Sequence, residues 1–460
     1  MKAVVSQEQR FDWPLCQEAE DLVLDRLEVF LERSAFAREL SRQMRDETGT
    51  LLIDWVDHLV LPAEDEQPFR DAGYAFDFDA DTHSGLKVLC HSEAMLPHVL
   101  IRHQSPSGAP CELALRTESV ADFLFAHHLC REVEGPPLAI YRHVVLDESN
   151  GARLSAVERR GYRGFIPTRL LLGQTESLLL AHELWQNRRR DFSDDAEGWR
   201  HAHGLIDHLV DLVGRDLACH AIFAEERAYW QSRNRAARVQ KARQDRLGLG
   251  WANHDHHTFR SSRRHFVDLM LALEKLGFER RERYYTGKEA GWGAQILEQR
   301  TEGIVAFCDV DLLPDETALD FSREPLPPSP KLGTIGLWVG LHGESFVQAG
   351  MHHLECRFDH ELLQAQLERE GVKTMKPFSD LPFLWQAFTE GERWPVKRER
   401  AQRLRHAGLI DDEQMSQFIH EGAIGSHLEN LQRKGGFKGF NQKSVSVIIA
   451  ATDPRKQVAH

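Results

Sequence analysis

The chain has 460 residues, 42% of them hydrophobic and 28% charged, with 32 Gly and 18 Pro, a composition ordinary for a soluble globular protein of two to four domains. A net charge of −14 excludes a surface that as a whole attracts nucleic acid or anionic membrane. Seven scattered cysteines (Cys16, Cys90, Cys111, Cys130, Cys219, Cys308, Cys356) without a C-x-x-C pair argue against a disulfide framework or a zinc knuckle. They place the chain in a reducing compartment. The opening residues Met1–Glu8 carry no apolar signal core, and no apolar run approaches the ~18 residues of a membrane span, so the expected location is cytoplasmic.

Residues 1–172 read as an α+β domain. An amphipathic stretch runs from about Glu18 to Asp46, and two hairpins follow. One turns at Ser105-Pro106-Ser107-Gly108 and the other at Asn150-Gly151, a strong two-residue turn signal. Residues 173–249 read as helical, with breaks near Ser193-Asp194-Asp195 and at Gly214, and close on Gly248 and Gly250. Arg233, Arg235, Arg238, Lys241, Arg243 and Arg246 crowd one helix there, which reads as a solvated face. From 250 the texture changes to short strands alternating with single helices. The segments are 250–324, a stiff Pro-rich linker at 325–333, and 334–454 with a helical insertion at about 380–420 whose position suits a lid.

This last region repeats itself. His256-His257-Thr258-Phe259-Arg260 and His353-Leu354-Glu355-Cys356-Arg357 share His-x-x-x-Arg, 97 residues apart. Each is followed by an amphipathic helix ending at a glycine, Gly277 or Gly371, and Leu269 and Leu273 match Leu363 and Leu367. Each copy therefore begins as strand, helix and further strands. Alternation along a strand sorts the side chains. Leu354 and Cys356, like His257 and Phe259, should face their helix. His256, Thr258 and Arg260, with His353, Glu355 and Arg357, should face a cavity. That selects His256 over His257 and His353 over His352, and a one-residue slip would reverse the choice.

Two imidazoles and one carboxylate form a facial triad that suits iron(II) and leaves positions open, with Mn(II) or Zn(II) as alternatives. The third ligand should be a late carboxylate on another strand. Glu429 is the candidate, and Glu355, two residues from His353 on the same face, is the competitor. Strand neighbours so spaced rarely converge on one ion, which favours Glu429.

The segment from His427 through Glu429 to Phe437-Lys438-Gly439-Phe440-Asn441 resembles the C-terminal strand and loop of 4-hydroxyphenylpyruvate dioxygenase. Asp255–Arg260 and His352–Arg357 resemble the metal-binding strands of the 2-oxoadipate dioxygenase/decarboxylase family. Both families belong to the vicinal oxygen chelate superfamily. The resemblance covers residues 250–450 and implies a fold, α+β overall, in which a C-terminal pair of βαβββ modules forms a half-barrel. It also implies iron(II) on His256, His353 and Glu429, and an enzyme that decarboxylates a 2-oxo acid with dioxygen and hydroxylates the remainder. Arg260 or Arg357 would pair with the substrate carboxylate, Phe437 and Phe440 would wall the pocket, and Gln432 would be a weaker polar contact. The insertion departs from the minimal module, and residues 1–248 show no match to the hydroxyphenylpyruvate enzyme's N-terminal module.

Two rival readings stay open. One keeps the fold and changes the reaction to extradiol ring cleavage, isomerisation or lysis. The other is a ligand-binding scaffold with structural histidines. The expected partners are a small molecule and dioxygen, with no nucleic acid and no membrane, and a homo-oligomer stays open. Other constellations are weaker. His127, His128 and Cys130, and His201, His203 and His208, lack zinc-site spacing. Gly287-Lys288 lacks the rest of a phosphate loop, and no Gly-x-Ser-x-Gly elbow lies between strand and helix.

Overall fold

The structure, a computed structural model, describes residues 13–83, 85–103, 109–167, 173–285, 291–375 and 378–456. The Ser105–Gly108 turn, Gly287-Lys288 and Met1–Glu8 lie outside the described residues. Among the described residues no helix is long and apolar enough to cross a membrane, and all seven cysteines are free thiols.

The N-terminal region opens with α1 (Gln17–Arg33) and α2 (Ala35–Gln43). The single amphipathic stretch read from the sequence is broken at Ser34, whose side chain accepts from Ala37 N and so starts α2 afresh. Then follow β1 (Val56–Pro62), α3 (Glu66–Asp71), β2 (Ala75–Phe76), β3 (Leu86–Cys90), β4 (His98–Arg102), β5 (Cys111–Arg116), α4 (Val120–Ala126), β6 (Tyr141–Ser149) and β7 (Ala152–Arg159). The strands form one sheet in the order β2-β3-β4-β1-β5-β7-β6. The β6–β7 turn is the expected hairpin at Asn150-Gly151, with φ of 49° and 72° at the two residues, the left-handed pair this turn demands.

Four helices come next: α5 (Gln174–Gln186), α6 (Asp195–Val213), α7 (Arg215–Ser232) and α8 (Arg235–Asp245). They break where the sequence indicates, with Asp194 accepting from Ala196 N at the start of α6 and Gly214 between α6 and α7. The basic residues around α8 are not merely a solvated face. Arg243 is buried and donates to Glu47 O and Gln240 Oε1, and Arg235 donates to the carbonyls of Glu370 and Gly371. The carbonyls of Glu47, Glu370 and Gly371 come from segments distant in sequence, a non-local outcome that local charge density does not reveal.

The C-terminal region contains β8 (His254–Arg260), α9 (Phe266–Lys275), β9 (Glu279–Tyr285), β10 (Trp292–Gln299), β11 (Ile304–Asp311), α10 (Thr334–His342), β12 (His353–Arg357), α11 (His360–Arg369), β13 (Phe378–Leu381), β14 (Leu384–Phe388), β15 (Glu392–Trp394), α12 (Arg398–His406), α13 (Asp412–Glu421), β16 (Ala423–Arg433) and α14 (Gln442–Ala451). The sheet order β13-β14-β16-β12-β8-β11-β10-β9 resolves into two βαβββ modules, each with its first strand beside its last. The two first strands, β8 and β12, pair antiparallel at the centre. This is the vicinal-oxygen-chelate arrangement. The segment expected to be helical at 380–420 is strand up to Trp394. β15, α12 and α13 are inserted, and the two helices pack on α10 through Leu337, Leu341, Leu404 and Phe418. The linker ends where Asp311, at the end of β11, accepts from Gly333 N, Ile335 N and Gly336 N and caps α10.

The helical layer covers one face of this sheet. Phe259, Leu354 and Cys356 join Trp185, Trp230, Leu269 and Leu273 in the largest core, and His257 packs against Phe223. The opposite face carries Tyr284, Trp292, Phe307 and Phe440 around His256.

The N-terminal sheet repeats the same plan. β1, α3, β2, β3 and β4 form one βαβββ module, and β5, α4, β6 and β7 form a second that has one strand fewer. Their first strands, β1 and β5, again pair antiparallel at the centre. The sequence reading found no such modules in residues 1–248.

Candidate metal centre

Strand β8 is irregular at one residue. His256 lies opposite Glu355 and His254 opposite Cys356, so Asp255 is an extra residue, a bulge. The bulge lets Asp255 reach its own neighbour: its Oδ1 lies 3.0 Å from His256 Nδ1. Arg433 grips the same carboxylate with two bonds of 2.9 Å and donates Nη1 to the carbonyls of Phe437 and Gly439. Burial pushes Asp255 up, but Arg433 and His256 hold it far below the usual carboxylate range. With Nδ1 fixed in this way, His256 presents Nε2 to the interior, 2.7 Å from Glu355 Oε2.

His353 Nε2 lies 2.9 Å from Glu429 Oε2, and His353 Nδ1 lies 2.6 Å from His352 Nδ1. Parallel pairing of β12 with β16 sets Glu355 beside Glu429. One ligand atom from each of His256, His353, Glu355 and Glu429 falls within 4.8 Å of all the others, and all four residues are buried. The sequence reading weighed Glu355 against Glu429, and the structure brings both to one point.

The electrostatics of the group is unbalanced. Burial opposes charge on His256, yet Glu355 and Asp255 raise it to about 9. Burial drives His353 well below its ordinary value. Burial and the adjacent Glu355 carboxylate drive Glu429 well above its own, while His256 overcomes burial to keep Glu355 low. Two carboxylates face each other with no Lys or Arg ion-paired to either among the described residues. Two imidazole nitrogens and two carboxylates, buried and convergent, are the donor set of a divalent cation, and Asp255 behind His256 is its usual support.

The other expected residues separate. Arg260 is on the ligand face, buried, 3.5 Å from Asp309 Oδ2 and over the Trp338 ring. Burial raises Asp309 to about 7 against the pull of Arg260. Phe440 packs edge-on to His256 with ring centroids 4.8 Å apart. Phe437 packs instead with Phe383, Leu384 and Leu431. Gln432 accepts from His360 N, at the start of α11 on the opposite face. Arg357 was expected in the cavity, but it lines a different cleft, between the two sheets, with Asp54 and His254. Buried polar atoms without a hydrogen-bond partner among the described residues lie on the strands that carry the four ligands or beside them: Thr258 Oγ1, Asp309 Oδ1, Gln386 Oε1 and His427 Nε2. Sequence reasoning missed Asp255, Arg433, Asp309 and His427. The Asp-His dipeptide at 255–256 was the one local signal.

Register alignment of the N-terminal pair on this one is informative. Asp57 and His58 fall on Asp255 and His256, with the irregularity at the same place. Glu112 falls on His353, Ala114 on Glu355 and Ser155 on Glu429. The support is repeated: His58 Nδ1 lies 2.7 Å from Asp57 Oδ2, and Arg159 forks onto Asp57 at 2.7 and 2.8 Å. Arg159 donates to the carbonyls of Tyr162 and Gly164, and Phe165 packs edge-on to His58 at 4.9 Å. The frame is present twice and the convergent carboxylates once.

No protein-family model and no curated protein sequence matches the chain. Among solved structures it is similar to a 4-hydroxymandelate synthase mutant from Streptomyces coelicolor, at 13% identity over 88% of this chain and 98% of that one, with a TM-score of 0.29. It is similar to methylmalonyl-CoA epimerase from Mycobacterium tuberculosis at 15% identity, over 40% and 88% of the two chains, TM-score 0.22. It is also similar to glyoxalase I from Zea mays at 12% identity, over 25% and 44%, TM-score 0.18. Likenesses this distant say nothing of substrate or reaction.

Proposed function

We propose that the chain is a mononuclear metal enzyme that holds iron(II) with His256, His353 and Glu429 and acts with dioxygen on a 2-oxo acid, which it decarboxylates and hydroxylates. The observation that carries the metal is the convergence of four buried donor atoms within 4.8 Å. The reaction rests on the sequence resemblance and on the facial triad. When bound, the ion supplies Lewis-acid and redox chemistry and a template for the reactants.

The protein's own part follows from the contacts. Asp255 and Arg433 fix the His256 ring and its tautomer. Arg260, whose nearest carboxylate is 3.5 Å away, has capacity for a substrate carboxylate. Thr258, Gln386 and His427 offer unpartnered polar atoms to the rest of the substrate. Phe307, Phe440 and Trp292 exclude water.

Glu355 favours a second reading. As a fourth ligand it would leave two octahedral positions rather than three, enough for a bidentate substrate but not for dioxygen beside it. That arrangement suits a metal-dependent isomerase or lyase.

One experiment separates these readings. Anaerobically purified protein is loaded with Fe(II), Mn(II) or Zn(II), and metal content, oxygen uptake and carbon dioxide release are followed across a panel of 2-oxo acids. The first reading expects one ion per chain and iron-dependent oxygen uptake matched by carbon dioxide. Turnover with Mn(II) or Zn(II) in the absence of oxygen would support the second. A protein that binds none of the three metals would overturn both and leave a ligand-binding scaffold.

A further inference from the structure

A cleft of about 370 Å³ lies between the N-terminal and C-terminal sheets. Most charges on its wall are already matched. Arg159 pairs with Asp57, Arg163 with Asp77, Lys438 with Glu298 and Asp255 with Arg433. Arg300 pairs with Glu279 at 3.7 Å, which leaves two guanidiniums, Arg116 and Arg357. Among the described residues neither forms an ion pair. Arg116 donates to the Glu302 carbonyl, and the Nε of Arg357 is buried with no hydrogen-bond partner among the described residues. The acid left over on the wall is Asp54, which accepts from Leu51 N and which burial raises to about 6 against the pull of Arg357 and that hydrogen bond.

The two arginines are also structural equivalents. Arg116 ends β5 and lies opposite Val157, and Arg357 ends β12 and lies opposite Leu431, the same position in each module pair. One cleft therefore receives an unpaired guanidinium from each half of the molecule. Both residues are half-buried, and a guanidinium's planar fork matches carboxylate and phosphate oxygens.

We propose that this cleft is a binding site for a small dianion bearing carboxylate or phosphate groups, clamped between Arg116 and Arg357. The volume suits a metabolite-sized ligand. Asp255, which supports His256, lines the same cleft, so an occupant sits one residue from the metal centre. The site stands independently of the proposed reaction, because its donors are not among the four convergent residues.

The test is isothermal titration of the full chain, metal-free and metal-loaded, in chloride buffer, with inorganic phosphate and succinate as separate probes. Saturable binding of at least one probe at one per chain is expected, weakening as salt rises. Arg116→Gln and Arg357→Gln should each lower affinity at least tenfold, and Arg357→Lys should lose less than Arg357→Gln. Binding of phosphate alone would assign a phosphorylated ligand, and of succinate alone a dicarboxylate. Circular dichroism identifies any variant that fails to fold, and the affinities of the variants that fold then decide. Absence of saturable binding of both probes to the wild type, or unchanged affinity in every folded variant, would overturn the proposal. Metal content measured on the same samples keeps this outcome distinct from failure of the metal site.

Discussion

The two module pairs build the same frame around one histidine and differ in what that histidine faces. In the C-terminal pair, His256 looks onto Glu355 and, beyond it, Glu429 and His353. In the N-terminal pair the corresponding positions are Ala114, Ser155 and Glu112. The single acid there is satisfied by protein groups: Ser155 Oγ donates to Glu112 at 2.6 Å and His143 Nε2 lies 3.0 Å away. One centre is satisfied by protein groups, and the other gathers four donor atoms within 4.8 Å. The Asp-His-Arg frame by itself is therefore a structural element, and the carboxylate pair is what turns it into a candidate metal site.

The sharpest way to break this comparison is metal content. His256→Ala, His353→Ala and Glu429→Ala should each reduce bound iron from one per chain to almost none, whereas His58→Ala and Glu112→Ala should leave it at one. Full iron in the first three variants, measured by elemental analysis, would end the metal assignment. Glu355→Gln reads the coordination number. Iron retained with oxygen consumption intact would fit the triad, and iron lost would fit four ligands.

Next in size are the two arginine forks. Arg159→Ala and Arg433→Ala each strand a buried aspartate and should cost about 3–5 kcal/mol in denaturant unfolding. Arg433→Ala should also weaken metal binding about 10–100-fold, because the His256 ring loses its support. Equal metal affinity in the two variants would show that the frame does not tune the ion.

A smaller effect tests the completeness of the N-terminal centre. Burial pushes Glu112 up, but His143 and Ser155 more than offset this and hold it down at about 2, against an ordinary 4.5. A depressed carboxylate stabilises the fold above its unfolded pKa. That contribution, on the order of 3 kcal/mol at neutral pH, should fade as pH falls from about 4.5 through about 2. Glu112→Gln should flatten the stability profile over this window, and an unchanged acid limb in thermal unfolding would count against the pairing. The smallest change is expected from Phe440→Leu and Phe165→Leu, each losing an edge-on ring contact worth about 1 kcal/mol, with iron retained in both.

Residue chemistry and strand alternation alone placed the first strands of the C-terminal modules and chose the inward histidines. Leu354, Cys356 and Phe259 are buried under the helices. This was legible because alternation is local and the partner layer is apolar. What the sequence could not settle depended on pairing. Glu355 joins Glu429 because β12 runs parallel to β16 in one particular register. Asp255 turns toward His256 because of a bulge, and no pattern in a seven-residue strand announces one. Arg357 passed the alternation rule and still lines another cleft, since its position at the strand end is decided by the sheet that packs across from it. The N-terminal copy was hidden for the same reason. It shares with the C-terminal pair an Asp-His dipeptide and a distant Arg, too little to read along the chain, whereas its hydrogen-bonded topology repeats strand by strand. Side-chain periodicity is written into the sequence, but which strands become neighbours is a property of the whole sheet, and the candidate metal centre is made where they meet.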